Sequence, residues 1–165
     1  MALPKGITAT SSMIVVSSTV EQTAPNTFAS AEIDLALNAL DQEAFVVYAV
    51  QSDLANPDAI AGVNTSVGLS LSTTARTGLG NLSNNNVFHA HNQGIRAAGF
   101  VDSGVGFDQV GPDSAMGDLP YLAIIATSNF YAQIGSGGNV GVKSGDFKVY
   151  GQRVRLSGPQ YAALV

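Results

Sequence analysis

The chain has two histidines, His89 and His91, and they stand two apart. On a β-strand, residues i and i+2 project to the same face, so both imidazoles can reach one point. With a third ligand, often a carboxylate, such a pair holds zinc or iron in β-barrel sites. Asp102 and Asp108 follow in the next stretch, but no spacing brings either of them to the pair. The expectation is therefore no metal, with His89 and His91 as polar residues on a solvent or interface face.

The other candidates for chemistry have plainer readings. Gly135-Ser-Gly-Gly-Asn-Val-Gly141 has the glycines of a phosphate-binding loop. It lacks the Gly-Lys-Ser/Thr ending and no helical pattern follows it, so it reads as a hairpin tip. Ser, His and Asp are all present, but no Gly-x-Ser-x-Gly elbow is. Asp34, Asp41, Glu43, Asp53 and Asp58 are spread over a strand face and turns. They read as solvated charge rather than a calcium cage. Asn64-Thr-Ser66 and Asn81-Leu-Ser83 match the glycosylation sequon, which matters only in a secreted protein. Arg153 and Arg155 are expected to pair with acids or with a neighbouring subunit. No catalytic residue, cofactor or small-molecule substrate is expected.

Composition narrows the function classes. Charged residues make up 12% of the chain, about half the usual share of roughly 25%. Ser, Thr, Asn, Gln and Gly take their place, which suits neutral contacts between subunits. Seven Lys and Arg face twelve Asp and Glu, for a net charge of −5. Without a basic cluster to neutralise phosphates, strong direct nucleic-acid binding is not expected. There is no cysteine. No apolar run reaches the ~18 residues that a membrane helix needs. Residues 13–16 form the longest apolar run near the start, too short for a signal peptide. A chain of this length buries about 70% of its unfolded surface, enough for one core without staples.

The elements that would position these residues read as strands. Residues 31–53 carry two of them around a polar corner at 38–42. In the first, Ala31, Ile33, Leu35 and Leu37 alternate with Glu32 and Asp34, the pattern of one buried and one wet face. The second, 44–50, is apolar on both faces and so belongs under a second layer or a neighbouring subunit. Further strands read at 13–20, 65–75, 87–96, 119–126 and 130–134, with the last strand over 147–156. Its apolar phase slips at 151–153, as at a β-bulge. Strand 65–75 shows one face of small polar groups and reads as half-buried.

Residues 58–61 read as one helical turn. Residues 78–86 read as a Gly/Asn-rich loop, and 97–118 as a long loop of the kind that is functional or interfacial. Ser157 is placed to cap a final helical turn, with Tyr161, Ala162 and Leu164 docking. Residues 1–11, rich in Pro, Gly and small polar types, read as an extended arm that orders on another subunit. Residues 12–165 form the domain.

About eight strands with short turns and almost no helix make this an all-β chain. The expected architecture is an antiparallel β-sandwich, a single jelly roll with an extended N-terminal arm. That combination, with the low charge and the ending Val149-Tyr-Gly-Gln-Arg-Val-Arg155 followed by Gln160-Tyr-Ala-Ala-Leu164, resembles the small single-jelly-roll capsid proteins of phages and archaeal viruses. The resemblance implies a virion shell protein, assembled in the host cytoplasm into an icosahedral homo-oligomer of many copies, with no enzymatic activity. Many such proteins bind genome through a basic arm, whereas the arm here carries Lys5 alone. Other virion proteins or an inner membrane would then line the shell. Met13, Val15, Phe45, Val47, Phe100 and Phe107 are the expected subunit contacts. Two alternatives are a non-viral surface-lattice or fibre subunit, and a cupin-like metal- or sugar-binding jelly roll using His89 and His91.

Overall fold

The computed structural model describes residues 3–102, 104–114 and 119–164. Ten strands form two antiparallel sheets of five. One sheet has the order β2 (Ile14–Glu21), β10 (Ser144–Leu156), β4 (Glu43–Leu54), β8 (Ala123–Ile125). The short β1 (Ile7–Ala9) lies on the same edge of β10 as β2, further along. The other sheet runs β3 (Ala29–Asp34), β9 (Asn129–Gly137), β5 (Thr65–Ser72), β6 (Val87–Arg96), β7 (Val105–Gly111). The quartets β2-β10-β4-β8 and β3-β9-β5-β6 give a jelly-roll order, with β1 and β7 added at the edges.

The core sits between the sheets because each strand turns its apolar residues the same way. From β4 come Phe45, Val47 and Val50, and from β10 Phe147 and Val149. Leu69 and Leu71 of β5, Phe88 of β6, and Phe130 and Ile134 of β9 meet them. Phe130 is the hub of two edge-to-face ring pairs, with Phe88 at 5.9 Å and Phe147 at 6.1 Å between centroids. Rings in this arrangement contribute about 0.5–1.5 kcal/mol per pair beyond their burial.

A second cluster explains why 44–50 is apolar on both faces. Ala44, Val46 and Tyr48, with Val154 and Leu156, form it on the opposite side of the same sheet. Leu3, Ile7, Tyr121, Ile124 and Tyr161 cover it. The cover is thus the chain itself: residues 3–7, the segment 121–124, and Tyr161 of the closing helix. Residues 3–11 are not a free arm. β1 pairs with β10 from Ile7↔Leu156 to Ala9↔Val154. Ser157 N donates to Gly6 O (3.1 Å), and Gln160 Nε2 donates to Lys5 O (3.0 Å). Residues 1–2 of the expected arm lie outside the described residues.

Other expectations change for similar reasons. β10 keeps strict alternation; its even-numbered residues become buried after Gly151 because the second cluster covers that face there. The bulge is in its partner: Tyr150 pairs with Ala49 and Gly151 with Val47, so Tyr48 is the extra residue. The 31–53 stretch does not fold back on itself, because β3 and β4 belong to different sheets. The 135–141 segment is not a hairpin tip either. β9 continues through Gly137, and the next turn hands the chain to the other sheet.

The 97–118 stretch holds the edge strand β7, and its residues 103 and 115–118 lie outside the described residues. β5 is buried on both faces, since the 73–86 loop folds over its outer one: Leu79 packs over Gly68 and Gly135. There Ser70 Oγ donates to Gln133 Oε1 (2.7 Å), and Gln133 Nε2 donates to Ser72 Oγ (2.8 Å). Residues 58–61 form no helix. The closing helix α1 (Gly158–Leu164) follows Ser157, with Tyr161 docked but Ala162 and Leu164 exposed.

Candidate functional site

β6 places His89 and His91 on its inward face, opposite Leu71 and Leu69 of β5. Both rings are buried, His89 completely (0% exposed) and His91 nearly so (4%). The register makes this unavoidable. Ala90 takes the other parity between them, while Phe88, the extra residue where Leu71 pairs with His89 and Ser72 with Val87, also turns into the core. They are therefore not on a solvent face.

Four polar contacts run in series through the pair. His89 Nδ1 meets the Pro112 carbonyl at 2.8 Å. His89 Nε2 meets Ser52 Oγ at 2.9 Å. The same Oγ meets His91 Nδ1 at 2.8 Å. His91 Nε2 meets Asp108 Oδ1 at 2.6 Å. Ser52 comes from β4 of the facing sheet, where the Tyr48 bulge sets its parity: it pairs with Phe147 and points into the core as Phe147 does. Asp108 comes from β7, on the same face as Val110, the partner of His91. Pro112 follows β7 directly, and Asp113 O then accepts from Val50 N (2.8 Å) on β4. The chain of contacts thus ties β4, β6, β7 and the strap after it across the gap between the sheets.

A carbonyl only accepts, so the His89 proton belongs on Nδ1. Burial pushes the His89 imidazole below its ordinary range; the Pro112 hydrogen bond opposes this, the neighbouring His91 adds to it, and Asp113 opposes it. His89 is therefore held neutral, with Nε2 as an acceptor for the Ser52 hydroxyl. All four ring nitrogens have protein partners. Among the described residues, no group of three or more His, Asp or Glu is placed to hold a metal ion. Asp102 does not join the pair; it lies along a depression with Ala59, Ile60 and Ile95.

The arrangement contains a Ser–His–Asp chain in which each contact joins two different elements of the fold. Ser52 Oγ is shared between two imidazoles and lies between the sheets. An open depression of about 870 Å³ lies at this end of the sandwich, bounded by β2, β4 and β10 together with Val110 and Asp113, and Ser52 is on its wall. Neither imidazole lines it.

A second polar cluster closes one end of the sandwich. Lys143 Nζ donates to Asn56 O (2.8 Å) and Asp58 Oδ1 (2.7 Å). Asp58 Oδ2 accepts from Val140 N and Gly141 N. The Lys143 bond first, then these two backbone donors, hold the Asp58 carboxyl down at about 2. Asn139 links Asp58 N to Ser66 O and Gly137 O. The Gly/Asn-rich 135–141 segment is thus the seat of a structural network. Gly138 has φ +71°, the left-handed region that glycine enters freely.

The six expected contact residues divide. Met13 and Val15 are exposed, on the outward parity of β2. Phe100 and Phe107 are exposed as well, and the Arg96 guanidinium sits 5.8 Å from the centre of the Phe107 ring. Phe45 and Val47 are corrected: they are interior to the sandwich, at 1% and 0% exposure, and present nothing to a neighbour. Their apolar partners are in the facing sheet. Val101, Val105, Val110 and Leu119 are exposed apolar residues not singled out from the sequence. Arg153 and Arg155 turn to their own chain, donating to Leu35 O and Asp41 O. Ser52 and the Pro112 carbonyl were also not foreseen, because only the sheet-to-sheet register brings them to the imidazoles. Neither a protein-family model nor a curated protein matches this chain.

Proposed function

We propose that this chain is a self-assembling structural subunit, a virion shell protein of the single-jelly-roll type. The observation that carries the reading is the exposed apolar surface on and beside β7. Val105 and Phe107 are exposed on one face of the strand, with Phe100 and Val101 just before it, and Val110 is exposed on the other face. Among the described residues, β7 is also a sheet edge with no strand paired on its outer side. Exposed apolar residues clustered at one place mark an interaction surface, and a free strand edge is a template for pairing. The jelly-roll order supports the reading by fold-level analogy, and so does the low charge of the chain. The reading assigns the chain no catalysis, no cofactor and no strong direct contact with nucleic acid. Its partners are further copies of itself, with other virion proteins or an inner membrane lining the shell.

A net charge of −5 per copy accumulates repulsion in a shell. Added salt screens that repulsion within about 10 Å at 0.1 M, while apolar contacts survive it. Sedimentation and electron microscopy of the purified protein from low to high salt test the reading. The expected result is closed particles that persist or increase as salt rises. A chain that stays monomeric at every salt and at high concentration overturns it. Flat lattices or fibres would instead identify a non-viral assembly subunit.

A further inference from the structure

We propose that the series Pro112–His89–Ser52–His91–Asp108 is a proton-operated latch that holds β7 and the strap after it against both sheets. The argument is a proton count and is independent of the assembly reading. Four contacts in series need four protons, one in each. The Pro112 carbonyl can only accept, so His89 Nδ1 carries one. The Asp108 carboxylate, whose side chain is 55% exposed, accepts in its contact with His91, so His91 Nε2 carries one. The Ser52 hydroxyl supplies one, given to the bare His89 Nε2. The contact between Ser52 Oγ and His91 Nδ1 then needs a proton of its own. Two neutral imidazoles and one hydroxyl have three protons between them. The set is complete only with a fourth, as a His91 imidazolium facing Asp108.

The groups around His91 agree with that assignment. β5 offers it Leu69, its uncharged partner in the register. β4 offers the Ser52 hydroxyl. The titratable groups near it are Asp108 of β7, which it meets, and His89 on the same strand, which in turn feels Asp113 of the strap. His89 is already held neutral. One cation between a carboxylate and a serine oxygen is therefore the balanced state. Without the fourth proton, one contact joins two acceptors at about 2.8 Å, a buried pair of lone pairs face to face.

β7 is where that loss is felt. It is an edge strand, its residues exposed along nearly its whole length, with β6 as its one neighbour in the sheet. Beyond β6, its ties are the Asp108 contact and the strap at 112–114, which reaches β4 through Val50 N and the Ala49–Ser114 bridge. Rising pH removes the proton and weakens the Asp108 tie; falling pH restores it.

The test uses the intact protein. Imidazole nitrogen NMR, in solution or on particles under magic-angle spinning, reads the protons on each ring from about pH 6 to about pH 9. Hydrogen exchange read by mass spectrometry follows the amides of 105–111 over the same range, corrected for intrinsic rates. The expected result is His91 carrying two N–H groups at the acid end and His89 carrying Nδ1–H alone. As His91 loses its proton, the 105–111 amides should exchange roughly tenfold faster, the order of one buried hydrogen bond left unmade. The amides of β5 and β9 should hold their rates. A neutral His91 across the range with the fold intact overturns the proposal. So does a His91 titration with no change in β7 exchange. Ser52→Ala removes the shared oxygen and should abolish the pH step in 105–111; a folded Ser52→Ala protein that keeps the step also overturns it. If that variant does not fold, the wild-type measurement decides alone.

Discussion

Gly151 on β10 lies against the Phe45 ring of β4: a Cβ built on Gly151 would collide with Phe45 Cε1 and with the Val46 carbonyl. The ring fills the space a side chain would need, at the point where burial on β10 changes faces. Gly151→Ala is expected to destabilise the protein by about 1–3 kcal/mol, because neither the fully buried ring nor the backbone can give way. Equilibrium denaturation in urea measures it. A change within experimental error would mean that the ring has room to move.

Gln133 bridges two buried serines, Ser70 and Ser72, under the 73–86 loop. Gln133→Leu keeps the volume and removes both bonds. Ser72 keeps its bond to Thr74 O, but the Ser70 hydroxyl proton loses its acceptor, and the change should cost about 1 kcal/mol or more. Urea denaturation gives the magnitude. Proteolysis should also find the 73–86 loop opened.

Asp58 is held at about 2 by Lys143 and two backbone donors. In the unfolded chain its carboxyl titrates near the ordinary value of about 3.9. The folded state thus binds this proton less readily, so its contribution is present above about pH 4 and is lost as pH falls toward 2. Asp58→Asn should be less stable than wild type at neutral pH, with the gap closing in that acid window. Thermal melts of both proteins across it provide the comparison, and a gap that stays constant would remove the carboxylate from the argument.

His89 gives a second acid-side slope. Its folded imidazole is shifted down, chiefly by burial, whereas the unfolded one takes a proton near pH 6.5. The unfolded state therefore binds more protons below that value, and stability falls as pH drops through it. His89→Gln should flatten the decline between about pH 7 and pH 5. Melting midpoints over that interval test it.

Deleting residues 1–11 removes β1 and uncovers Val154 and Leu156. The loss should be about 2 kcal/mol or more, the order of unburying one isoleucine. Calorimetry of the truncated protein gives the value. An unchanged melting temperature would restore these residues to the status of a free arm.

What the sequence determined by itself is most of the strands and the class of fold, though not the edge strands β1 and β7. Residues 87–96 read as a strand and form one, since alternation is a local signal carried by neighbouring residues. The Ile33–Leu35 and Glu32–Asp34 alternation likewise marks the buried face of β3. The double-sided greasiness of 44–50 announced a second cover, and the jelly roll follows from many such short strands without helices. Which cover it was could not be read. A neighbouring subunit and the chain's own β1 and α1 leave the same pattern on Ala44, Val46 and Tyr48, and only the pairing of Ile7 with Leu156 distinguishes them. Phe45 and Val47 are interior rather than contacts because a stretch apolar on both faces does not itself say which parity meets the facing sheet. The imidazoles show the limit most plainly. Their shared face was legible from their spacing, but Ser52 lies 37 residues from His89 in the chain. It meets them because one extra residue at Tyr48 turns it inward and because two sheets stack with β4 across from β6. Side-chain parity is a property of a strand, whereas that meeting is a property of how two sheets pack.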